Sequence, residues 1–467
     1  MRRVVIIGGG PAGYEAALVA AQLDADVTVV EAEGAGGACV LHDCVPSKTF
    51  IASSEVVTSY RDTEEFGIRV DRDAAVSVDA RAVHERVRRL AAAQSQDIHA
   101  KLIKAGVTYV HGTARLGEET LGHYHQVRVT PADGSPPYTI DAGTVVIATG
   151  ATPRILPGAE PDGERILTWR QVYDLDELPE HLVVVGSGVT GAEFASAYLA
   201  MGVPVTLVSS RDRVMPHEDV DAAMAIERVF RARGMRILNN SRAAAVRRVG
   251  DGVVVELTDG RTVEGSHALM AVGSVPNTAR LGLQEYGVTV APSGAVTVDR
   301  VSRTNVPGIY AAGDCTGVLP LASVAAMQGR IAMWHALGEA VSPLKLSTVS
   351  ANVFTDPELA TVGVSQADVD SGRVPARQVM LPLAGNARAK MSEVSDGFVK
   401  LFCRPASGLV IGGVVVAPKA SELILPITMA IENHLTVDQL AYTIAIYPSL
   451  SGSVTEAARQ LMLHAAD

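Results

Sequence analysis

Two cysteines in the N-terminal part of the chain, Cys39 and Cys44, have the type and spacing for redox or metal chemistry. They lie five positions apart. Near a helix start, two thiols at this spacing can be brought within bridging distance if the first turn distorts, and a helix N-terminus lowers the pKa of a thiol. The alternative is a pair of buried, unreactive thiols. We expect no metal site, because no second cysteine or histidine pair has ligand spacing, and we assign Cys315 and Cys403 to the core.

Two glycine-rich turns indicate phosphate binding. Each follows an apolar run and precedes a helical stretch, and their glycines are Gly8, Gly10 and Gly13 in the first turn and Gly186, Gly188 and Gly191 in the second. The first glycine permits a tight bend, the second lets a pyrophosphate approach the backbone, and the third lets helix and strand pack closely. The phosphate then sits at the helix N-terminus, where free N–H groups favour an anion. Two copies in this context predict two dinucleotide sites.

The residue after the second strand of each copy predicts which nucleotide is bound. Glu31 ends the strand after the first turn and is spaced to accept hydrogen bonds from an adenosine ribose. At the same offset in the second copy stands Ser209, followed by Arg211 and Arg213. A missing carboxylate and two guanidinium groups accommodate a 2′-phosphate, so we predict that NADPH is preferred and that NADH is also possible. The alternative is that both arginines belong to a solvated loop.

Positioning these residues requires two βαβ units. The predicted strands are Val4 to Ile7 and Val27 to Glu31 in the first unit, and Leu182 to Val185 and Pro204 to Val208 in the second. Each unit is later followed by an alternating hairpin, with turns at Asp133-Gly134 and Asp259-Gly260. Each hairpin leads to an apolar strand that ends in small residues, Thr149-Gly150 in the first copy and Gly273 in the second.

The fold class that this repetition predicts is α/β. We expect two Rossmann-like, doubly wound, three-layer nucleotide-binding domains, the second inserted in the first, and a C-terminal α+β domain. The first domain would comprise residues 1–150 and 273–345, the second residues 151–272, and the third residues 346–467.

Length, charge and cysteine count narrow the possible partners. A chain of 467 residues is long enough for three domains of ordinary size. A net charge of −11 without a basic cluster argues against nucleic acid or an anionic membrane surface. No apolar run approaches the ~18 residues of a membrane span. Four cysteines do not make a disulfide framework, so we expect a reducing cytoplasm.

The run from Gly36 to Lys48 resembles the redox-active G-G-x-C-x-x-x-x-C-x-P-S-K segment of the class I pyridine nucleotide–disulfide oxidoreductases. This family includes lipoamide dehydrogenase, glutathione reductase and mercuric reductase. Thr304 to Asp314 is similar to its second FAD motif, and the C-terminal residues are similar to its dimerisation domain, so the resemblance covers essentially the whole chain. It implies a homodimer that binds FAD and a nicotinamide nucleotide.

The glycine turns, the residues after them and the resemblance together give the predicted site residues. The FAD site would contain Gly8, Gly10, Gly13, Glu31, Lys48, Thr149, Gly150 and Asp314, and the NAD(P)H site Gly186, Gly188, Gly191, Glu193, Ser209, Arg211, Arg213 and Gly273. Cys44 would contact the flavin and Cys39 would exchange with substrate. Lys48 would lie beside flavin N5 and pair with Glu193, a helix glutamate.

The chain departs from the family where a disulfide substrate would receive its proton. A histidine and a glutamate in a His-Pro-Thr-x-x-Glu context do this in the family, across the subunit boundary. Here Tyr447 stands at the histidine position and Gly452 at the glutamate position. A phenol of pKa ~10 cannot shuttle protons near neutrality as an imidazole of ~6.5 can. The spacer Leu41-His42-Asp43 is also unusual, and the charge of Asp43 disfavours the Cys44 thiolate.

Three functions are compatible with this departure. The first is an FAD-dependent NAD(P)H:quinone oxidoreductase, similar to the lipoamide-dehydrogenase-like quinone reductases of actinobacteria, in which Tyr447 and Pro448 from the partner subunit line the quinone site. The second is a reductase for an unidentified disulfide that uses Cys39 and Cys44 with another proton donor such as His42. The third is a catalytically quiet subunit of a 2-oxoacid dehydrogenase complex, against which the presence of Lys48 and Glu193 argues.

Overall fold

The computed structural model describes residues 2–61, 63, 66–68, 77–121 and 124–462. The chain forms two compact units, and three separate segments contribute to each. Unit 1 comprises Met1–Thr49, Arg81–Arg154 and Gly273–Lys345, and unit 2 comprises Phe50–Ala80, Ile155–Val272 and Leu346–Asp467.

The helices and strands are as follows, in chain order. Up to residue 154 they are β1 (Arg3–Ile7), α1 (Pro11–Gln22), β2 (Asp26–Glu31), α2 (Gly37–Leu41), α3 (Cys44–Arg61), α4 (Ala80–Lys104), β3 (Thr108–Leu121), β4 (Tyr124–Pro131), β5 (Tyr138–Ala142), β6 (Thr144–Ile147) and β7 (Ala151–Pro153). Up to residue 272 they are β8 (Ile166–Thr168), β9 (Leu182–Val185), α5 (Val189–Ala200), β10 (Val205–Val208), α6 (Val220–Ala232), β11 (Arg236–Leu238), β12 (Ala243–Val249), β13 (Gly252–Leu257), β14 (Thr262–Gly265) and β15 (His267–Met270). The remainder are β16 (Ser274–Pro276), β17 (Ile309–Ala311), α7 (Ala322–Ala336), β18 (Ser350–Val353), β19 (Glu358–Gly363), α8 (Gln366–Asp370), β20 (Arg377–Pro382), α9 (Ala387–Met391), β21 (Phe398–Cys403), β22 (Val410–Ala417), α10 (Ala420–Leu423), α11 (Leu425–Glu432), α12 (Val437–Ala441) and α13 (Gly452–Gln460).

Unit 1 is built around a seven-stranded sheet in the order β17-β6-β1-β2-β3-β4-β5. The first five strands pair in parallel, and β3, β4 and β5 pair antiparallel. Val4 to Ile7 of β1 are at most 3% exposed, as expected for a parallel strand that is covered on both faces. Helices α1 and α7 pack closely at Gly329. A Cβ added there would lie only 2.1 Å from the carbonyl oxygen of Ala12, so only glycine allows this approach.

The central segment of unit 2 repeats this architecture. Its sheet has the order β11-β10-β9-β15-β8, with every pair parallel, and the meander β12-β13-β14 follows the same plan as β3-β4-β5. The two hairpin turns fall where the sequence places them, between β4 and β5 and between β13 and β14. The prediction of two Rossmann-like domains is therefore confirmed.

The C-terminal segment of unit 2 forms an antiparallel sheet in the order β18-β19-β22-β21-β20, packed against the helices that follow it. Lys400 on β21 is 2% exposed, and its Nζ lies 2.8 Å from Asp219 Oδ2 and 2.6 Å from Asp221 Oδ2 at the start of α6. These buried ion pairs connect the C-terminal sheet to helix α6 of the second nucleotide-binding fold. The two segments consequently belong to one compact unit.

The segment from Phe50 to Ala80 differs from its predicted place. The sequence boundaries assign it to the first domain, whereas the structure groups it with unit 2. The physical reason is Phe50, which is fully buried and has its ring centroid 4.9 Å from that of Tyr198 and 6.3 Å from that of Phe194. The division into three domains remains a prediction.

Among the described residues, every helix is too short or too polar to cross a lipid bilayer.

Candidate active site

The first glycine turn has the geometry that a dinucleotide-binding turn needs. Gly8 has φ +106°, and a Cβ there would lie 2.3 Å from the carbonyl oxygen of Ala148. A Cβ on Gly13 would lie 1.9 Å from the carbonyl oxygen of Gly8. Gly10 is different: as N-cap of α1 it has φ −67°, and the nearest atom to an added Cβ is 3.9 Å away. The outer glycines are required by packing, whereas the middle one leaves open space at the helix N-terminus, where a pyrophosphate fits.

The second glycine turn repeats these values. Gly186 has φ +111°, and its Cβ would lie 2.2 Å from the carbonyl oxygen of Ala271. A Cβ on Gly191 would lie 1.9 Å from the carbonyl oxygen of Gly186. Gly188 is the N-cap of α5, with φ −71° and no atom within 4 Å of an added Cβ. Both turns thus present open backbone at a helix start.

Glu31, at the end of β2, has the arrangement expected of a ribose acceptor. Glu31 is 8% exposed, and its carboxylate accepts hydrogen bonds from the backbone N–H groups of Gly9 and Glu33. A carboxylate offers about four lone-pair positions, so acceptor capacity remains for ribose hydroxyls. Next to it, the buried hydroxyl of Tyr109 has no hydrogen-bond partner among the described residues. Burial and then the charge of Glu31 raise the pKa of Tyr109.

Two further residues support the chain directly after β6 and β17 in unit 1, and no sequence motif identified them. Asn277 donates from Nδ2 to the Thr149 carbonyl at 3.0 Å, and its own carbonyl accepts from Thr149 Oγ1 at 2.7 Å. Gln328, which is 2% exposed, accepts from the N–H of Gly313 at 2.8 Å. They fix the backbone at Thr149-Gly150 and in front of Asp314.

Asp314 begins a short 3₁₀ turn, Asp314–Thr316, directly after β17. Burial raises the pKa of its carboxyl. Within the described part of the chain, no hydrogen bond to this carboxyl is formed by protein groups. A half-buried acceptor of this kind is suited to a ligand hydroxyl, and the resemblance to the second FAD motif implies that this aspartate binds the ribitol of FAD. The residues of unit 1 therefore fit FAD.

Ser209 has a different position from the one expected of a nucleotide ligand. It is 0% exposed, and its Oγ lies 2.7 Å from Oγ of Ser187 in the second glycine turn. The same hydroxyl accepts from the N–H of Arg211 at 3.2 Å and lies 3.2 Å from the carbonyl oxygens of Arg211 and Arg213. Because the side chain has no exposed surface, it organises the loop after β10 instead of facing a nucleotide.

The two predicted arginines have different surroundings. Arg213 is partly buried, with Nη1 3.1 Å from Asp212 Oδ2 and Nη2 donating to the Pro216 carbonyl at 3.2 Å. Arg211 is exposed, and no hydrogen bond or ion pair engages its guanidinium within the described residues. Arg211 is therefore available to an anion, whereas Arg213 is used within the loop.

Cys39 and Cys44 are brought together by a sharp turn between α2 and α3. The N–H groups of His42 and Asp43 both donate to the Ala38 carbonyl, at 2.9 and 2.8 Å. Cys44 then becomes the first residue of α3, and its thiol hydrogen-bonds to that of Cys39. Both thiols are free and partly exposed. The predicted proximity of the pair is confirmed.

The pKa of the Cys44 thiol is raised. The hydrogen bond to Cys39 is the largest cause, followed by burial and by the charge of Asp43, while Lys48 acts in the opposite direction. These effects oppose the lowering that a helix N-terminus exerts on a thiol, because the neighbouring thiol and burial favour the protonated form of Cys44. The effect expected of Asp43 is confirmed.

Glu193 lies one turn into α5 and is 4% exposed. Its Oε1 accepts from the N–H of Phe354 at 2.9 Å, and Ser196 one turn later accepts from the N–H of Asp356 at 3.2 Å. The loop after β18 thus holds the carboxylate in place. Lys48 donates from Nζ to Ser47 Oγ at 3.3 Å. The pairing of Lys48 with Glu193 remains a prediction.

Tyr447 lies in an exposed apolar stretch of the C-terminal segment. Its side chain is 85% exposed, and those of Tyr442, Ile444 and Ile446 are 79%, 97% and 81% exposed. Gly452, at the position of the family's glutamate, begins α13. Large apolar side chains exposed in a contiguous stretch are typical of an interaction surface.

Fold and site together define a class: an oxidoreductase with two dinucleotide-binding folds and a dithiol at a helix start. Residues 2–329 match the family model of the pyridine nucleotide-disulphide oxidoreductases, and residues 349–458 match that of their dimerisation domain. The chain belongs to the pyridine nucleotide-disulphide oxidoreductase family. It is therefore an enzyme whose cofactors are FAD and a nicotinamide nucleotide.

Several relatives resemble the chain over nearly its full length. NAD(P)H dehydrogenase (quinone) of Mycobacterium tuberculosis strain H37Rv is 61% identical over 466 residues, which are 99% of this chain and 94% of the relative. Dihydrolipoyl dehydrogenase of Chlamydia pneumoniae is 33% identical over 447 residues, 96% of this chain and 94% of the relative. The crystal structure of LpdA from Mycobacterium tuberculosis is 60% identical and superposes with a TM-score of 0.95, covering 99% of this chain and 100% of that one.

Proposed function

We propose that the chain is an FAD-dependent NAD(P)H:quinone oxidoreductase. The observation that carries the proposal is Tyr447-Pro448 at the place where disulfide reductases of the family have His-Pro. A quinone accepts hydride or two electrons without a sulfur leaving group, so it needs no imidazole there. The name of the Mycobacterium tuberculosis relative, NAD(P)H dehydrogenase (quinone), supports the same acceptor.

The residues of unit 1 bind and orient the flavin in this proposal. The turn at Gly8, Gly10 and Gly13 receives the pyrophosphate, Glu31 accepts from the adenosine ribose, and Thr149, Gly150 and Asp314 contact the remainder of FAD. FAD, when bound, supplies hydride acceptance from the nicotinamide and electron transfer to the quinone. Lys48 would provide a positive charge at the reacting edge of the flavin, and its pairing with Glu193 stays a prediction.

The second glycine turn binds the nicotinamide nucleotide. Gly186, Gly188 and Gly191 receive its pyrophosphate, and Gly273 ends the neighbouring strand. Arg211 contacts the 2′-phosphate of NADPH, while Ser209 and Arg213 hold the loop that carries it. NADPH is accordingly the preferred donor, and NADH remains usable because the turn itself recognises only the pyrophosphate.

The working form in this proposal is a homodimer. Residues 349–458 match the family's dimerisation domain, and the exposed apolar stretch around Tyr447 would be buried in the dimer interface. Tyr447 and Pro448 of one subunit would then line the quinone site of the other. Four cysteines are too few for a disulfide framework, which favours a cytoplasmic location, and the net charge of −11 disfavours a nucleic-acid partner.

A substrate comparison tests the proposal. NADPH oxidation is measured with menadione and benzoquinones beside lipoamide and glutathione disulfide. We expect quinone turnover to exceed turnover of either natural disulfide by at least tenfold. Strong turnover of a natural disulfide with weak quinone turnover would refute the proposal in favour of the disulfide reductase. Failure to oxidise NADPH with every acceptor, together with co-purification with acyltransferase cores, would favour the quiet subunit.

An anaerobic NADPH titration followed by visible spectroscopy separates the electron routes. Direct bleaching of the flavin is expected if quinones take electrons from it without the dithiol. A long-wavelength thiolate–flavin band after two electrons would instead show that Cys39 and Cys44 take part.

A further inference from the structure

One asparagine side chain connects helix α9 to the chain in front of α13. Asn386 is the N-cap of α9, and its Oδ1 accepts from the backbone N–H groups of Arg388 and Ala389 at 2.8 and 3.2 Å. Its Nδ2 donates to the Ser449 carbonyl at 3.0 Å and to Ser453 Oγ at 2.8 Å. An amide group offers two donor hydrogens and two acceptor lone pairs, so every hydrogen-bonding position of this side chain is used.

These contacts fix the chain two residues after Tyr447. Ser449 is held at its carbonyl by Asn386 and at its hydroxyl by the first N–H of α13, at 3.1 Å. In the described chain, by contrast, no hydrogen bond engages residues 444–448. Pro448 alone separates Tyr447 from Ser449, and its ring fixes one of its two backbone dihedral angles. The position of Tyr447 is therefore set from Ser449, and through it from Asn386.

Capping alone does not account for an asparagine at this position. Helices α6, α8 and α12 are capped by Asp219, Ser365 and Thr436, and aspartate, serine and asparagine cap about equally well. Asparagine differs from these residues because it carries an NH2 group beside the capping oxygen. That group makes the two bonds to the C-terminal segment. Asn386 therefore has a second role besides starting the helix.

We propose that Asn386 is a positioning residue of the quinone site. It holds the Ser449 carbonyl, and it thereby places Tyr447 and Pro448 where they meet the quinone bound to the neighbouring subunit. This role rests on the proposed quinone reductase, in which Tyr447 and Pro448 line the site across the dimer. Asn386 acts through this segment alone, so reduction of the flavin by NADPH does not depend on it.

Two substitutions keep the helix cap and remove the second role. Asn386→Asp retains Oδ1 but directs a carboxylate oxygen, another acceptor, at the Ser449 carbonyl. Asn386→Ser also caps a helix, but its side chain is one bond shorter and carries no amide donor. Because both residues are strong N-caps, we expect each variant to bind FAD, to sediment as a dimer and to unfold within about 5 °C of the wild type.

Stopped-flow absorbance of the full-length, FAD-loaded enzyme separates the two half-reactions. Anaerobic bleaching of the flavin by NADPH should stay within about twofold of the wild-type rate in both variants. Reoxidation of the reduced flavin by menadione should be at least tenfold slower in Asn386→Asp, because a small displacement of a site residue reduces a rate by this much. The loss should be smaller in Asn386→Ser, which leaves the Ser449 carbonyl without a donor but does not repel it.

Ser365→Ala is the matched control. It removes the N-cap side chain of α8, and the described hydrogen bonds of Ser365 all join it to that helix. Both half-reactions of this variant should match those of the wild type. A loss confined to reoxidation in the Asn386 variants is then not a general effect of losing a cap.

A double variant tests whether Asn386 acts through Tyr447. Added to Tyr447→Ala, Asn386→Asp should slow reoxidation by less than about threefold more, because both changes affect one contact. Losses that multiply would overturn the positioning role, as would equal losses in both half-reactions or a monomeric Asn386→Asp. Rapid reoxidation in the wild type and in both Asn386 variants would overturn this role alone. A wild type that NADPH reduces but menadione reoxidises slowly would refute the proposed quinone reductase, and this role with it.

Discussion

Arg211 and Arg213 are two residues apart, yet only one of them has a guanidinium free for a ligand. Arg213 bonds to Asp212 and to the Pro216 carbonyl, whereas Arg211 is exposed and unengaged in the described structure. A hydrogen bond to a charged group contributes roughly 1.5–3 kcal/mol. For Arg211→Ala we therefore expect kcat/KM for NADPH to fall about tenfold or more while that for NADH changes less than threefold.

The control for this prediction is Arg247→Ala, an exposed arginine on β12 that pairs with Glu256 at 3.0 Å. It should leave the ratio of kcat/KM for NADPH and NADH as in the wild type. If Arg211→Ala also leaves that ratio unchanged, Arg211 belongs to a solvated loop. The predicted preference for NADPH would then not be due to Arg211.

His267 gives a residue-scale prediction of pH dependence. Burial, and then the charge of Arg165, lowers its pKa to about 4, and Arg165 Nη1 lies 3.2 Å from its Nε2. In the unfolded chain a histidine has pKa ~6.5. Between these values the unfolded state binds a proton that the folded state does not, so the free energy of unfolding falls as pH decreases from about 6.5 towards 4.

Urea unfolding at pH 7.5 and 5.0 measures this contribution. The wild type should lose about 2 kcal/mol through His267 over that interval. His267→Gln should be correspondingly less sensitive to acid, whereas His99→Gln should lose as much as the wild type. An unchanged acid sensitivity in His267→Gln would show that this imidazole is not the group that titrates.

At the scale of the element, the two glycine turns separate folding from binding. Gly188→Ala adds a methyl group where no atom lies within 4 Å, at φ −71°. We expect this variant to fold, with Tm within about 3 °C of the wild type because an exposed N-cap change costs little, and to raise KM for NADPH at least tenfold. Gly191→Ala, the matched variant, places Cβ 1.9 Å from the Gly186 carbonyl and should destabilise the domain severely. Normal NADPH binding by Gly188→Ala would show that no phosphate approaches this helix start.

The βαβ units were predictable because local rules determine them. The strand predicted at Leu182 to Val185 coincides with β9, and the one at Val4 to Ile7 is only one residue shorter than β1. Apolar runs, outer glycines and hairpin turns each depend on a few neighbouring residues. The sequence alone is therefore enough to predict these strands and turns.

The remaining features depend on contacts between distant residues. Because Ser209 has the same offset from its glycine turn as Glu31, the sequence predicts that it contacts the nucleotide. Only the fold shows that its hydroxyl bonds to that of Ser187. Asn277 lies 128 residues from Thr149, which it braces. Lys400 lies 181 and 179 residues from Asp219 and Asp221, against which it is buried. Sequence periodicity does not contain such pairings.

At the scale of the whole molecule, the exposed stretch at Ile444, Ile446 and Tyr447 predicts the oligomeric state. Isolated apolar side chains on a surface are ordinary, but this stretch is 81–97% exposed and lies within the matched dimerisation domain. Burying charged carboxylates in an apolar interface is costly. The double variant Ile444→Asp/Ile446→Asp should therefore sediment as a monomer at micromolar concentration while the wild type sediments as a dimer.

The functional consequence distinguishes a shared site from simple association. If Tyr447 of the partner subunit lines the quinone site, the monomeric variant should retain FAD and NADPH binding but lose at least tenfold in quinone turnover. Met224→Asp is the control, since Met224 is 59% exposed on α6 outside the dimerisation domain, and it should remain dimeric and active. A fully active monomer would place the acceptor site within one subunit, and a double variant that stays dimeric would place the interface elsewhere on the chain.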